Sequence, residues 1–188
     1  MKKIGITGSI ASGKTTASQI LSVKRGPLFS ADDVVKKLYK NNQFKRLVRK
    51  KFDIKNNLKF KNSLRKKILQ NNQNIKKLEK IIHPLVRKEM KKFSARNKNR
   101  KIIFYEIPLL IESKLMKSFD VIIFIKAKKK IRFKRFKKRG GKKNLFDLLD
   151  KKQMSDAKKI KYCDHVAVNE KNLNILKKNL LDIIKLYA

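Results

Sequence analysis

Short apolar runs alternate along this chain with longer stretches in which apolar residues recur every three or four positions. The runs are Ile4-Gly5-Ile6-Thr7, Leu28-Phe29-Ser30, Lys101-Ile102-Ile103-Phe104-Tyr105-Glu106 before Pro108, residues 120–125, and residues 165–168. Runs of this length and composition fit strands buried on both faces. The intervals read as helices: residues 15–22, with Ala17, Ile20 and Leu21 on one face, a helix continuing to Tyr39, then 128–138, 144–154 and 173–186. Residues 41–100 offer no strand, only helical candidates near 44–52, 63–70 and 75–93, with breaks expected at Asn56-Asn57 and Asn71-Asn72. Five strands separated by helices predict an α/β fold with a parallel sheet covered on both faces. The helical interval at about 41–100 predicts an insertion over the carboxyl edge of that sheet, where open α/β folds bind ligands.

The first strand runs directly into Gly8-Ser9-Ile10-Ala11-Ser12-Gly13-Lys14-Thr15, a complete G-x-x-x-x-G-K-[ST] loop followed by a helix. That context gives the pattern its mechanism, because backbone N–H groups and the helix N-terminus then converge on phosphate oxygens. Gly5, Gly8 and Gly13 are three of only 6 glycines in the chain, so glycine is concentrated where the backbone needs it. The fold predicted is therefore of the P-loop NTPase type. A phosphate loop alone leaves kinase, GTPase and ATPase open. A guanine-reading Asn-Lys-x-Asp segment is expected late in a GTPase, and the nearest match, Asn97-Lys98-Asn99-Arg100, lacks the acid.

Composition changes the picture less than its size suggests. The 188 residues suit one domain with a small inserted region. The 53 Lys+Arg against 14 Asp+Glu give a formal charge of +39. Such a charge attracts polyanions, but the lysines are spread over nearly every element instead of forming one stripe, which reads as compositional drift with solvated lysine faces. No specific nucleic-acid partner is expected, only non-specific binding at low salt. The single cysteine, Cys163, excludes an intrachain disulfide and fits a reducing, cytoplasmic setting. No apolar run is long enough for a membrane span, and a monomer or weak oligomer is expected.

Further along come Ser30-Ala31-Asp32, Leu78-Glu79 before His83-Pro84, Ile107-Pro108-Leu109-Leu110-Ile111-Glu112, Arg135 and Arg139, Gln153, and Asp164 to Asn169. With the opening loop, this series resembles the dephospho-coenzyme A kinase family in order and spacing from Lys3 to about Ile184. The resemblance implies phosphorylation of the ribose 3′-hydroxyl of dephospho-coenzyme A by ATP with Mg²⁺. It implies that Ala11, Ser12, Gly13, Lys14, Thr15 and Thr16 wrap the ATP phosphates, that the Thr15 hydroxyl holds Mg²⁺ with Glu106 assisting through water, and that Asn169 lies near the adenine. Asp32 matches the final acid of the family's Asp-Ala-Asp motif and is the expected catalytic base, although Ser30 replaces the first acid. Asp32 could also serve simply as a helix N-cap.

Lys14 and Arg139 are the expected catalytic cations, with Arg139 in a lid at about 137–145 that closes over ATP. Gly140-Gly141 suit a hinge there or a plain helix stop. Arg135 is read as structural or as a contact behind the site, and Arg132, where the family often has glutamine, has no assigned role. The resemblance implies that Lys61, Arg65, His83, Arg87 and Glu112 meet the acceptor, although a histidine before proline is more often structural and Glu112 could instead pair with a basic residue. Two other functions stay open at this point: a kinase for a nucleoside monophosphate or another small hydroxyl compound, and a basic ATP-binding protein that interacts with RNA.

Overall fold

The computed structural model describes residues 1–55 and 59–187, so the break expected at Asn56-Asn57 lies outside the described residues. The chain divides into two compact units, one formed by Met1–Ser30 with Ser94–Ala188 and the other by Ala31–Phe93.

The first unit holds a parallel sheet of five strands: β1 (Lys2–Gly8), β2 (Leu28–Ser30), β3 (Ile102–Glu106), β4 (Val121–Lys126) and β5 (His165–Val168), in the spatial order β2-β3-β1-β4-β5. β1 is central, pairing Ile6 with Glu106 of β3 on one side and with Ile123 of β4 on the other. All five residues of β3 are buried, as are the first five of β4, so these strands read as unbroken apolar runs instead of alternating ones. Ile4, Ile6, Phe104, Ile123 and Ile125 form one core with Ala17 and Leu21 of α1 (Lys14–Ser22) and with Leu176, Leu180 and Ile184 of the last helix. Gly5 faces the other way, where an added Cβ would meet Leu110 at 2.7 Å and Phe119 at 3.1 Å. Tyr105 shares that direction, its ring tilted against Phe29 and edge-on to Phe119, with its hydroxyl 2.5 Å from Ser94 Oγ.

The second unit is helical. It contains α2 (Ala31–Leu38), α3 (Asn42–Phe52), α4 (Phe60–Gln70) and most of α5 (Asn72–Arg96). Phe44, Val48, Phe52, Ile54, Phe60, Leu64 and Leu78 make its core. Asn41 caps α3 by accepting from the Phe44 N–H at 2.9 Å. The break expected at Asn71-Asn72 falls at Asn71 alone, whose side chain accepts from the Gln73 N–H while α5 begins at once. Pro84 lies inside α5, where it removes one backbone donor without ending the helix.

After β4 come α6 (Lys129–Lys138), α7 (Lys143–Lys152), α8 (Asp156–Ile160), β5 and α9 (Leu173–Lys185). The short α8 has no counterpart in the hydrophobic pattern. Gly140 stands at φ +81 just past α6, its N–H donating to Lys137 O and that of Gly141 to Phe136 O. This pair of bonds is a Schellman motif, so the two glycines form the C-terminal stop of α6. Among the described residues no helix is long and apolar enough to cross a membrane.

Candidate active site

The phosphate loop emerges from β1 at the middle of the carboxyl edge of the sheet. Gly13 caps α1 at φ +97, ψ +24, a backbone that favours glycine, and supplies no side-chain acceptor to the first N–H groups of the helix. The positive end of the helix dipole there favours an anion. An added Cβ at Gly13 would meet Asn169 Nδ2 at 2.1 Å, so the loop packs directly on the residue that ends β5. Lys14 is buried and its ammonium donates to Ser9 O at 3.0 Å, which folds the side chain back over the loop.

The Thr15 hydroxyl donates to Glu106 Oε1 at 2.6 Å. Glu106 is only 3% exposed, and β3 delivers it beside Ile6 of β1 and Ser30 of β2. A hard hydroxyl oxygen and a carboxylate therefore meet behind the loop, an oxygen donor set of the kind Mg²⁺ takes.

The loop is held from its outer side by residues far along the chain. The Asn169 amide donates to Ser12 O at 2.8 Å, and Arg135 donates to Ser12 O at 3.3 Å and to Asn169 Oδ1 at 3.2 Å. Burial, and then the neighbouring Arg139 guanidinium, push the pKa of Arg135 down. Arg139 itself is exposed at the end of α6. Arg132 is 6% exposed and donates to Ala127 O, to Ile10 O at 3.4 Å and to Asp150 Oδ1 at 2.6 Å. Its role is thus to join α6, the phosphate loop and α7.

Gln153 Oε1 accepts from the Ile10 N–H at 2.9 Å, and Asp156 accepts from the Ser9 hydroxyl. Glu112, beyond β3, is bound to the same segment: its Oε1 accepts from the Met154 N–H at 3.1 Å and lies 2.8 Å from the fully buried Lys159 ammonium. Glu112 Oε2 is buried and has no hydrogen-bond partner among the described residues. Cys163 Sγ lies 3.3 Å from Lys159 O, and burial above all, with Asp164 adding, pushes its thiol up to about 12.

The other residues singled out in the sequence belong to the helical unit. Asp32 is exposed in the first turn of α2; since α2 begins at Ala31, Asp32 stands inside the helix and not at its N-cap. Asp33 is paired with Lys36 at 2.8 Å. Lys61 and Arg65 are exposed one turn apart on α4, and half-buried His83 and exposed Arg87 share a face of α5 in the same way.

A parallel sheet in this order, with a phosphate loop closing its central strand and an acid at the end of the neighbouring strand, defines a P-loop kinase. A structure of TT1252 from Thermus thermophilus superimposes with a TM-score of 0.85 at 24% identity, covering 100% of this chain and 98% of that one. The dephospho-CoA kinase from Campylobacter jejuni gives 0.70 at 24% identity over 97% of this chain and 95% of that one. In sequence, the dephospho-CoA kinase of Bartonella henselae is 35% identical over 190 residues, 98% of this chain and 97% of that protein. The family model described as dephospho-CoA kinase matches residues 2–174. The chain belongs to the dephospho-CoA kinase family, the kinases of the last step of coenzyme A synthesis, as the sequence series from the phosphate loop to Asn169 implied.

Proposed function

We propose that this chain transfers the γ-phosphoryl group of ATP to the ribose 3′-hydroxyl of dephospho-coenzyme A. The observation that carries this reading is the pairing of Thr15 with buried Glu106 directly beneath a loop closed by Lys14. In the transfer, the 3′-oxygen bonds to the γ-phosphorus, the bond from that phosphorus to the β-bridging oxygen breaks, ADP leaves, and the hydroxyl proton passes to the Asp32 carboxylate. The backbone of residues 11–16 cradles the phosphates, Lys14 leaves Ser9 O for the β/γ oxygens, and Asn169 lies beside the adenine. Thr15 and, through water, Glu106 are the residues to hold Mg²⁺, which when bound neutralises charge on the phosphate oxygens.

Arg139, in a lid at about 137–145, adds the outer cation. On the acceptor side the reading assigns Lys61 and Arg65, His83 and Arg87, and Glu112. The chain acts as one cytoplasmic kinase domain, a monomer or weak oligomer, without a specific nucleic-acid partner.

ATP consumption by purified protein with Mg²⁺ tests the reading, comparing dephospho-coenzyme A with AMP, CMP, pantothenate and RNA. Only dephospho-coenzyme A should be phosphorylated. Asp32→Asn should lower kcat by about 10²–10⁴, the usual contribution of a positioned base, and Lys14→Ala should abolish turnover. Turnover with another acceptor, or an undiminished Asp32→Asn enzyme, overturns the substrate or the role respectively.

A further inference from the structure

We infer that residues 153–159 form a strap that sets the position of the phosphate loop, with Gln153 and Asp156 as positioning residues and the Lys159–Glu112 pair as their anchor. The inference rests on the phosphoryl-transfer reading for its consequence in catalysis, though not for its geometry. Two contacts join strap and loop on adjacent residues: Gln153 Oε1 takes the Ile10 N–H at 2.9 Å, and Asp156 takes the Ser9 hydroxyl. Ser9 is also the residue whose carbonyl receives Lys14. The strap therefore fixes the peptide on which the phosphate-binding lysine rests.

An isolated turn between Gln153 and Asp156 has little reason to hold still, so something must pin it. Lys159 does so one turn later. It is fully buried, with its ammonium 2.8 Å from Glu112 Oε1, and the same oxygen accepts from Met154 N–H inside the strap. Breaking a buried pair by removing one partner leaves an uncompensated charge, so this anchor resists displacement. Glu112 belongs to the stretch that follows Glu106 of β3. One seven-residue segment thus links the stretch after the β3 acid to the loop that grips phosphate. A phosphate loop gains affinity when its geometry is set before the nucleotide arrives, because no ordering cost remains to be met on binding.

The test measures ATP dissociation constants directly, without acceptor, by calorimetry on the full chain, and KM values for both substrates beside them. Gln153→Ala and Asp156→Ala should weaken ATP about tenfold, which corresponds to ~1.4 kcal/mol. Their KM for dephospho-coenzyme A should stay within about twofold, well below that tenfold step. Asp156→Asn keeps an oxygen for the Ser9 hydroxyl and should bind ATP like the parent. Lys159→Met should weaken ATP although it touches no part of the loop, and adding Gln153→Ala to it should cost less than the sum of the two, since both act through one segment.

ATP affinity unchanged in Gln153→Ala and Asp156→Ala overturns the inference. So does equal loss for both substrates alongside a lowered melting temperature, which is the mark of a merely structural role. Because ATP binding is read without acceptor, the result stands even where dephospho-coenzyme A proves inert, an outcome that counts against the substrate reading alone.

Discussion

Gly13 shows how little freedom a single residue has at this site. Its φ of +97 already disfavours a side chain, and the added Cβ of alanine would fall 2.1 Å from Asn169 Nδ2. Either the loop or Asn169 must move, and moving Asn169 gives up its bond to Ser12 O. A residue forced into such a backbone costs about 1–3 kcal/mol, small enough for the fold to survive. Gly13→Ala should therefore keep its circular dichroism spectrum while ATP affinity falls at least about tenfold, for each 1.4 kcal/mol is a factor of ten. Calorimetric titration with ATP checks this, and affinity within twofold of the parent would show that the packing of Asn169 on Gly13 does not matter. Arg132 carries a related lesson: a cation at an unassigned position proves to be 6% exposed and bound to three elements at once.

Helices α6 and α7 are joined by side chains of both kinds. Phe133 and Phe136 pack at a tilt against Phe146, while Asp150 binds Arg132 at 2.6 Å and Lys129 at 3.3 Å. Burial alone would raise the Asp150 pKa, but the bonds and charges of Arg132 and Lys129 together hold it below the ordinary value of 3.8. A carboxyl depressed in the folded state contributes stability that is present above its unfolded value and is lost as pH falls through its folded value. The melting temperature of the parent should thus drop as pH falls below 3.8, and Asp150→Asn, less stable at neutral pH, should show a shallower drop over that window. Thermal melts from pH 7 to strongly acid solution measure both slopes, and parallel curves would remove Asp150 from the account. Since Gly140 and Gly141 end α6 with a Schellman motif, the link to α7 is a defined turn.

At the scale of the molecule the dominant quantity is the charge of +39. The few acids of the first unit are spent on specific partners: Asp120 on the Lys3 N–H, Asp164 on the Ile122 N–H, Glu170 on Lys128, Asp147 on Lys129, Asp182 on Lys185, and the others on the contacts described above. Excess cations therefore repel one another over much of the surface, and bound anions relieve that repulsion. Phosphate or ATP should raise the melting temperature more than sodium chloride at equal ionic strength, because a bound ligand stabilises the folded state in addition to screening. Melting curves in the two salts decide the matter, identical shifts meaning that no anion site contributes. Binding to RNA should fade steeply with added salt, as expected for contacts made to phosphates alone.

Five strands and the phosphate loop were legible because each depends on local pattern: apolar runs such as Val121–Ile125 fix a strand that is buried on both faces, and glycine spacing fixes a turn. The order of the large helices followed for the same reason, and the family emerged from short motifs whose spacing survives drift elsewhere. Gln153 was legible as a member of the motif series but not as a partner of the loop, and Asp156 and Lys159 were not legible at all. Helix α8 is too short to show a period, and Lys159, fully buried, stands among the 53 Lys+Arg without any local mark. Asp150 and Arg132 are 18 residues apart, Ser9 and Asp156 are 147 apart, and Ser12 and Asn169 are 157 apart. Partnerships over such distances are made only when the sheet aligns its carboxyl ends. The sequence by itself determined what kind of loop this is and which family holds it; the tertiary structure alone decided which distant side chains keep that loop in place.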